Sequence, residues 1–257
     1  MLSLLSLRPG PFAVLIGLAV SGCASMMPGS PERAAMLRAN ALSPDDPLEA
    51  QNRAVLGFNQ AVNKVAIGPA AAVYKFAVPA PVRAGIANGV DNLEEPRIFA
   101  NNVLQLRFGA AGTTLGRFAV NSTLGAGGLF DVATLGGLPK QSGDFGQTLY
   151  AWGVPSGPFL ILPVLGPSTV RDGFGTVVDR VADPSSYVIQ RYAGPYPVYG
   201  IAAVAVLGRI NLLDDVEASS VDFYGRLRST YLQKRASELG DAFGLTVTPA
   251  TGPQPAR

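Results

Sequence analysis

The run from Trp152 to Gly166 is almost wholly apolar, with Val154, Phe159, Leu160, Ile161, Leu162, Val164 and Leu165, yet Pro155, Gly157, Pro158 and Pro163 break it. Proline has no N–H and clashes with the preceding helical turn. The run therefore cannot form one transmembrane helix, which needs about 20 continuous residues. Lipid could not replace the hydrogen bonds its prolines forgo, so it must pack in protein or lie at an interface. Val198 to Leu207 is a second mostly apolar run, too short to span, and reads as a buried helix. Few alternating runs appear, and Leu245-Thr246-Val247 is too short to matter. The pattern predicts a mainly α fold, one domain of several short and amphipathic helices rather than a tidy bundle.

Arg117 to Ala133 organises the middle of the chain. Its first half continues a helical pattern, and its centre holds Gly125, Gly127 and Gly128 with no charge between Arg117 and Asp131. Turns normally collect polar residues that bond their own backbone. Here Leu124, Leu129 and Phe130 sit on or beside the turn. Such a turn needs a greasy partner: the core, another protein or lipid.

The 257 residues allow one sizeable domain or two small ones. They are 48% hydrophobic and 15% charged, against roughly 25% charged in an ordinary soluble domain. Mean hydropathy is +0.26. A net charge of +2 gives no bulk field for nucleic acid. The chain has no histidine, which removes Ser-His-Asp and Cys-His catalysis and a neutral-pH imidazole base. Its one cysteine, Cys23, excludes an internal disulfide and a cysteine metal cluster. Gly125-Ala126-Gly127-Gly128 is not a dinucleotide fingerprint, since Phe130 stands where the last glycine belongs. No P-loop, EF-hand spacing or nucleophile elbow is present. Arg171/Asp172 and Asp179/Arg180 read as structural ion pairs. No catalytic constellation and no cofactor site remains, so binding or transport is a better class than an enzyme.

At the N-terminus, Arg8 precedes a short apolar run from Phe12 to Val20, as in a secretory signal. Small residues then lead to the lone Cys23, an arrangement that resembles a bacterial lipobox; an ordinary signal with an incidental cysteine is the alternative. Residues 1–22 read as the signal and 23–44 as a tether carrying a lipidated Cys23. Several acyl chains, each buried CH₂ worth about 0.8 kcal/mol, anchor without a membrane span. Ala24, where an aspartate would favour inner-membrane retention, favours the outer membrane.

Residues 45–240 form the helical domain. Asp45 or Asp46 is placed to cap a first helix, with Pro47 in its first turn and Leu48, Val55, Phe58 and Val62 on one face. Asn52, Asn59 and Asn63 read as surface or helix–helix groups. Further helices are expected over Ala70–Ala77 and Val82–Leu93, and another from Glu94-Glu95-Pro96-Arg97. The next runs from Ala110 to Val120, with Leu115 and Phe118 three apart, and a later one starts near Ser168. A long amphipathic helix runs from Asn211 to about Leu239, with Tyr224, Leu227 and Tyr231 inside and Arg226, Arg228, Lys234 and Arg235 outside. Residues 241–257, rich in proline, are expected to be disordered.

Taken together, several ordered motifs carry a resemblance. They are Asp46-Pro47-Leu48-Glu49 with Asn52-Arg53; Asn92-Leu93-Glu94-Glu95-Pro96; Asn121-Ser122-Thr123-Leu124-Gly125 with Phe130-Asp131-Val132-Ala133; and Asp144-Phe145-Gly146-Gln147 with Leu162-Pro163 and Gly166-Pro167-Ser168. In order and spacing the chain resembles the MlaA (VacJ) family of outer-membrane lipoproteins, densely over about residues 45–185. The resemblance implies a ring-like helical body lying in one leaflet of the outer membrane, on its periplasmic face, with an amphipathic channel. It implies phospholipid, a trimeric porin and a soluble periplasmic phospholipid carrier as partners, and removal of mislocalised outer-leaflet phospholipid without covalent chemistry. It also implies that Asn121, Ser122, Thr123, Leu124, Gly125, Gly127, Gly128 and Phe130 form a mobile gating hairpin beside the channel. Arg117 and Asp131 flank that hairpin in the sequence, placed either to pin it or to form a structural salt bridge. A lipid-anchored scaffold that moves no lipid is the alternative.

Overall fold

The computed structural model describes Ala35 and residues 46–193 and 222–245. Helix α1 (Glu49–Val62) continues through one π-helical turn, Asn63–Ile67, into α2 (Gly68–Ala77). Val78 precedes Pro79, is forced out of the helical region, and has φ −108 and ψ 115. The chain bends there by 118° into α3 (Ala80–Leu104). Then follow α4 (Phe108–Thr123), α5 (Val132–Leu135), α6 (Phe145–Ala151), strands β1 (Phe159–Leu162) and β2 (Gly166–Thr169), α7 (Val170–Val181), α8 (Pro184–Ala193) and α9 (Phe223–Phe243).

Helix α3 corrects the expectation of two helices meeting at Glu94, because Pro96 lies inside it. A proline there removes a hydrogen bond and costs about 3 kcal/mol. Packing along α4 overrides that cost: Asn92, Glu95, Ile98, Asn101 and Asn102 are buried on both sides of the proline. Glu95 is thus an interior residue, not a first-turn acid.

The proline-broken apolar run folds into an antiparallel hairpin that the sequence reading missed. Phe159 pairs with Thr169 and Leu162 with Gly166. At its tip Leu165 N–H donates to Pro163 O at 2.8 Å, around Val164 at φ +66. This is a strained γ-turn, and Asn59 holds it: Val164 N–H donates to Asn59 Oδ1 at 2.7 Å, and Asn59 Nδ2 donates to Leu162 O at 3.0 Å. Asn52 does the same two turns earlier, bonding Phe159 O at 3.0 Å and Ile161 N–H at 2.8 Å. Neither asparagine is a surface or helix–helix group. Both occupy the open edge of β1, which otherwise presents unpaired backbone groups.

Asp46 does not cap α1. It accepts from Tyr224 OH at 2.6 Å and pairs with Arg228 at 3.2 Å, tying the start of the domain to α9. Thr169, the neighbour of Ser168, caps α7. Helix α9 extends three residues into the expected tail and ends at Gly244, φ +64, a left-handed C-terminal stop. Residues 1–22, the rest of the tether, Val198–Leu207, 211–221 and 246–257 lie outside the described residues.

The small apolar core joins Leu56, Phe159, Ile161, Tyr224, Leu227 and Leu232. Elsewhere the usual distribution is inverted. Among the described residues, seventeen polar or charged side chains are buried against fourteen hydrophobic ones. Phe76 is 94% exposed and Leu135 88%. Among the described residues no single helix is long and apolar enough to cross a membrane, although α1–α2 and α3 together, bent, have the length and composition.

Arg235, expected outside, is buried and bonds Asp144 at 2.8 Å and Asp172 at 2.9 Å. Removing one partner of a buried pair costs about 3–5 kcal/mol. Arg235→Ala should lose that much in denaturant unfolding, Arg235→Lys should recover only part of it, and Lys234→Ala, on the exposed face, should stay within about 0.5 kcal/mol of wild type.

Candidate functional site

Helix α4 stops in a turn that uses its glycines for geometry. Gly127 and Gly128 N–H donate back to Ser122 O and Asn121 O, at 3.2 and 2.8 Å. Ala126, Gly127 and Gly128 have φ of +52, +74 and +94. Left-handed backbone is open to glycine but strains alanine. A Cβ on Gly125 would overlap Phe130 O and Asn121 O, and one on Gly128 would lie 2.6 Å from Asn92 Cβ.

The turn sits on a small-residue face of α3. Leu129 O accepts from Asn88 Nδ2 at 3.2 Å, Asn92 Nδ2 donates to Ser122 Oγ at 2.9 Å, and the Leu129 side chain lies over Gly89. Gly85, Asn88, Gly89 and Asn92 share one helical face by their spacing. That spacing was visible in the sequence and is the signal that would have placed the turn. Leu124, Leu129 and Phe130 remain exposed, and Thr123 is exposed with its hydroxyl on Ala119 O.

Arg117, at the root of the turn, is buried, and each of its five N–H donors is used. Nε donates to Glu95 Oε1 at 2.9 Å, Nη1 to Thr134 Oγ1 at 2.9 Å and Leu138 O at 2.7 Å, and Nη2 to both Asp131 oxygens at 3.1 Å. Arg117 and Asp131 therefore pair. Asn121 joins them, donating to Asp131 Oδ1 at 3.1 Å and accepting from Ala133 N–H at 2.9 Å. Burial alone would raise the Asp131 carboxyl, but hydrogen bonds from Thr134, Arg117 and Asn121 lower it to about 2. Burial raises Glu95 above the usual carboxylate value despite Arg117.

On the other face of α3 lies a half-open cavity of about 520 Å³, lined by residues of α3, α7, α8, α9 and the β hairpin. Val90, Leu93 and Ile189 give it an apolar side. Its floor is the Arg235 node. Asp172 accepts from Arg235 at 2.9 Å, Arg171 at 3.0 Å and Tyr231 OH at 2.9 Å. Burial would raise the Asp172 carboxyl, but the two guanidiniums hold it well below the usual carboxylate range. The expected Arg171/Asp172 pair forms. The Asp179/Arg180 pair does not: Asp179 faces Arg97 at 3.3 Å and Asn101 at 2.9 Å. None of the turn residues from Arg117 to Asp131 lines this cavity. Helix α3 separates the two, and Cys23 lies outside the described residues.

The chain matches the family profile described as MlaA lipoprotein over residues 44–238. It is 33% identical over 196 residues to the intermembrane phospholipid transport system lipoprotein MlaA of Escherichia coli (strain K12), covering 74% of this chain and 76% of that protein. The Haemophilus influenzae protein of the same name is 30% identical over 206 residues, covering 77% and 80%. A solved structure described as a structural basis for maintenance of bacterial outer membrane lipid asymmetry matches with a TM-score of 0.60 and 33% identity, over 76% of this chain and 99% of that one.

The two left-handed glycines differ in what surrounds them. Gly127→Ala meets no atom within 4 Å and should cost about 1 kcal/mol for its backbone alone. Gly128→Ala also drives into Asn92, and should cost at least about 2 kcal/mol. Thermal unfolding of the two variants should rank them in that order; equal losses would contradict the packing of the turn on α3.

Proposed function

Because the chain belongs to the MlaA lipoprotein family, we propose that it is the lipid-anchored outer-membrane component of intermembrane phospholipid transport. It takes mislocalised phospholipid from the outer leaflet and passes it to a soluble periplasmic carrier, which maintains lipid asymmetry. Cys23 carries the anchor, and a trimeric porin is its neighbour in the membrane. The work is transfer, with no covalent step.

The observation that carries this reading is the inverted burial. Exposed Phe76, Leu124, Phe130, Leu135 and Val177 suit acyl chains, while charged groups gather around the cavity beside Val90, Leu93 and Ile189. A body lying in one leaflet needs that outside, and a phospholipid passing through it needs an apolar wall for its tails and polar groups for its head. The glycine turn is assigned a gating role exerted through α3, whose two faces seat the turn and line the cavity.

Cells lacking the protein should accumulate outer-leaflet phospholipid, read as the product of an outer-leaflet phospholipase, and the wild-type chain should reverse it. A membrane-bound, folded protein whose loss leaves the outer leaflet unchanged would contradict transport and favour a scaffold.

A further inference from the structure

We infer that the 520 Å³ cavity selects zwitterionic, amine-bearing phospholipid over anionic phospholipid, an inference that rests on the transport reading above. Among the described residues six carboxylates line the cavity: Glu94, Asp144, Asp172, Asp179, Asp183 and Glu238. Of the described guanidiniums, Arg97, Arg180 and Arg235 line it with them, and Arg171, outside the lining, pairs with Asp172. A phospholipid headgroup entering here meets a surplus of negative charge. Burial raises the Asp179 carboxyl, and even with that group neutral the surplus keeps its sign.

The charges are unevenly satisfied. Arg235 is held by Asp144, Asp172 and Glu238, and Arg97 by Glu94 and Asp179. Among the described residues Arg180 has no carboxylate partner, and Asp183 has no cation, accepting only from Ser185 and Ser186. Arg180 and Asp183 stand three residues apart, at the end of α7 and the start of α8. A guanidinium is suited to a phosphate, and the remaining acids are suited to an ammonium group on the same head. An anionic headgroup places its charge against the same acids with no ammonium to offset it. The cavity is partly open to solvent, so these charges act at short range and added salt weakens them.

The test uses purified full-length protein incubated at low salt with vesicles of phosphatidylethanolamine and phosphatidylglycerol in equal amounts, followed by extraction and quantification of the bound lipid. Bound phosphatidylethanolamine should exceed phosphatidylglycerol about fivefold, and the excess should shrink as salt is raised. Glu94→Gln with Asp183→Asn removes two of the surplus charges; asparagine keeps a cap on α8. That variant should bind as much lipid with the preference largely lost. Bound lipid that mirrors the vesicles, or a preference insensitive to salt, would overturn the selectivity and leave transport standing. Absence of any bound phospholipid would overturn the transport reading and this inference together. The salt series on the wild-type chain decides the matter even if the variant does not fold.

Discussion

A guanidinium removed from water must find an acceptor for each of its N–H groups, and two arginines in this chain do so by drawing distant segments together. Arg117 collects Glu95 from α3, Asp131 and Thr134 from the start of α5, and the carbonyl of Leu138. Arg235 collects Asp144 before α6 and Asp172 in α7 from across the chain. An unpaired buried charge costs several kcal/mol, so each node is all-or-none, and each fixes the position of several elements at once. Asn52 and Asn59 act in the same way on a smaller scale, locking the β hairpin to α1 by its backbone.

This arrangement frees the apolar side chains for the outside. A soluble domain covers its surface with charge and collects large hydrophobics within. Here the elements are held by polar nodes and a modest core around Phe159 and Tyr224, and much of the hydrophobic surface is left for an apolar surrounding. The low charge content of the sequence has the same origin. Helices that need not cross the bilayer can be short and bent, and Pro79 and Pro96 are tolerated where other contacts hold the chain.

What was legible in the sequence followed local chemistry. Pro79 before a new helix, the helical run into Leu124 and the glycine turn after it all lie where local rules place them. The ordered motifs between Asp46 and Ser168 pointed to the MlaA family, and the match over residues 44–238 bears that out, while the structural match bears out the mainly helical fold. The misses share a cause. Periodicity assumes that the apolar face is the inner one, yet Phe58 and Leu115 are exposed beside buried Asn52 and Thr114. Arg235 looked like a solvent group because its partners lie 91 and 63 residues away. The β hairpin gave no alternating signal because distant segments cover both faces of β1, the core over Phe159 and Ile161 and Gly173 of α7 beside Leu160 and Leu162. The cavity was invisible for the same reason: α3, α7, α8 and α9 meet only in three dimensions.

The central claim is that the exposed apolar surface faces lipid. The chain supplies its own reporter in Trp152, its single tryptophan, which is 44% exposed, packs edge-on against Phe145 and donates its indole N–H to Leu104 O at 3.2 Å. The most direct measurement is Trp152 fluorescence of the full-length protein reconstituted in phospholipid bilayers, with bromine placed on the acyl chains or iodide in the water. Quenching by the brominated chains and protection from iodide is the predicted result. Quenching by iodide with no effect of the brominated chains would contradict the account.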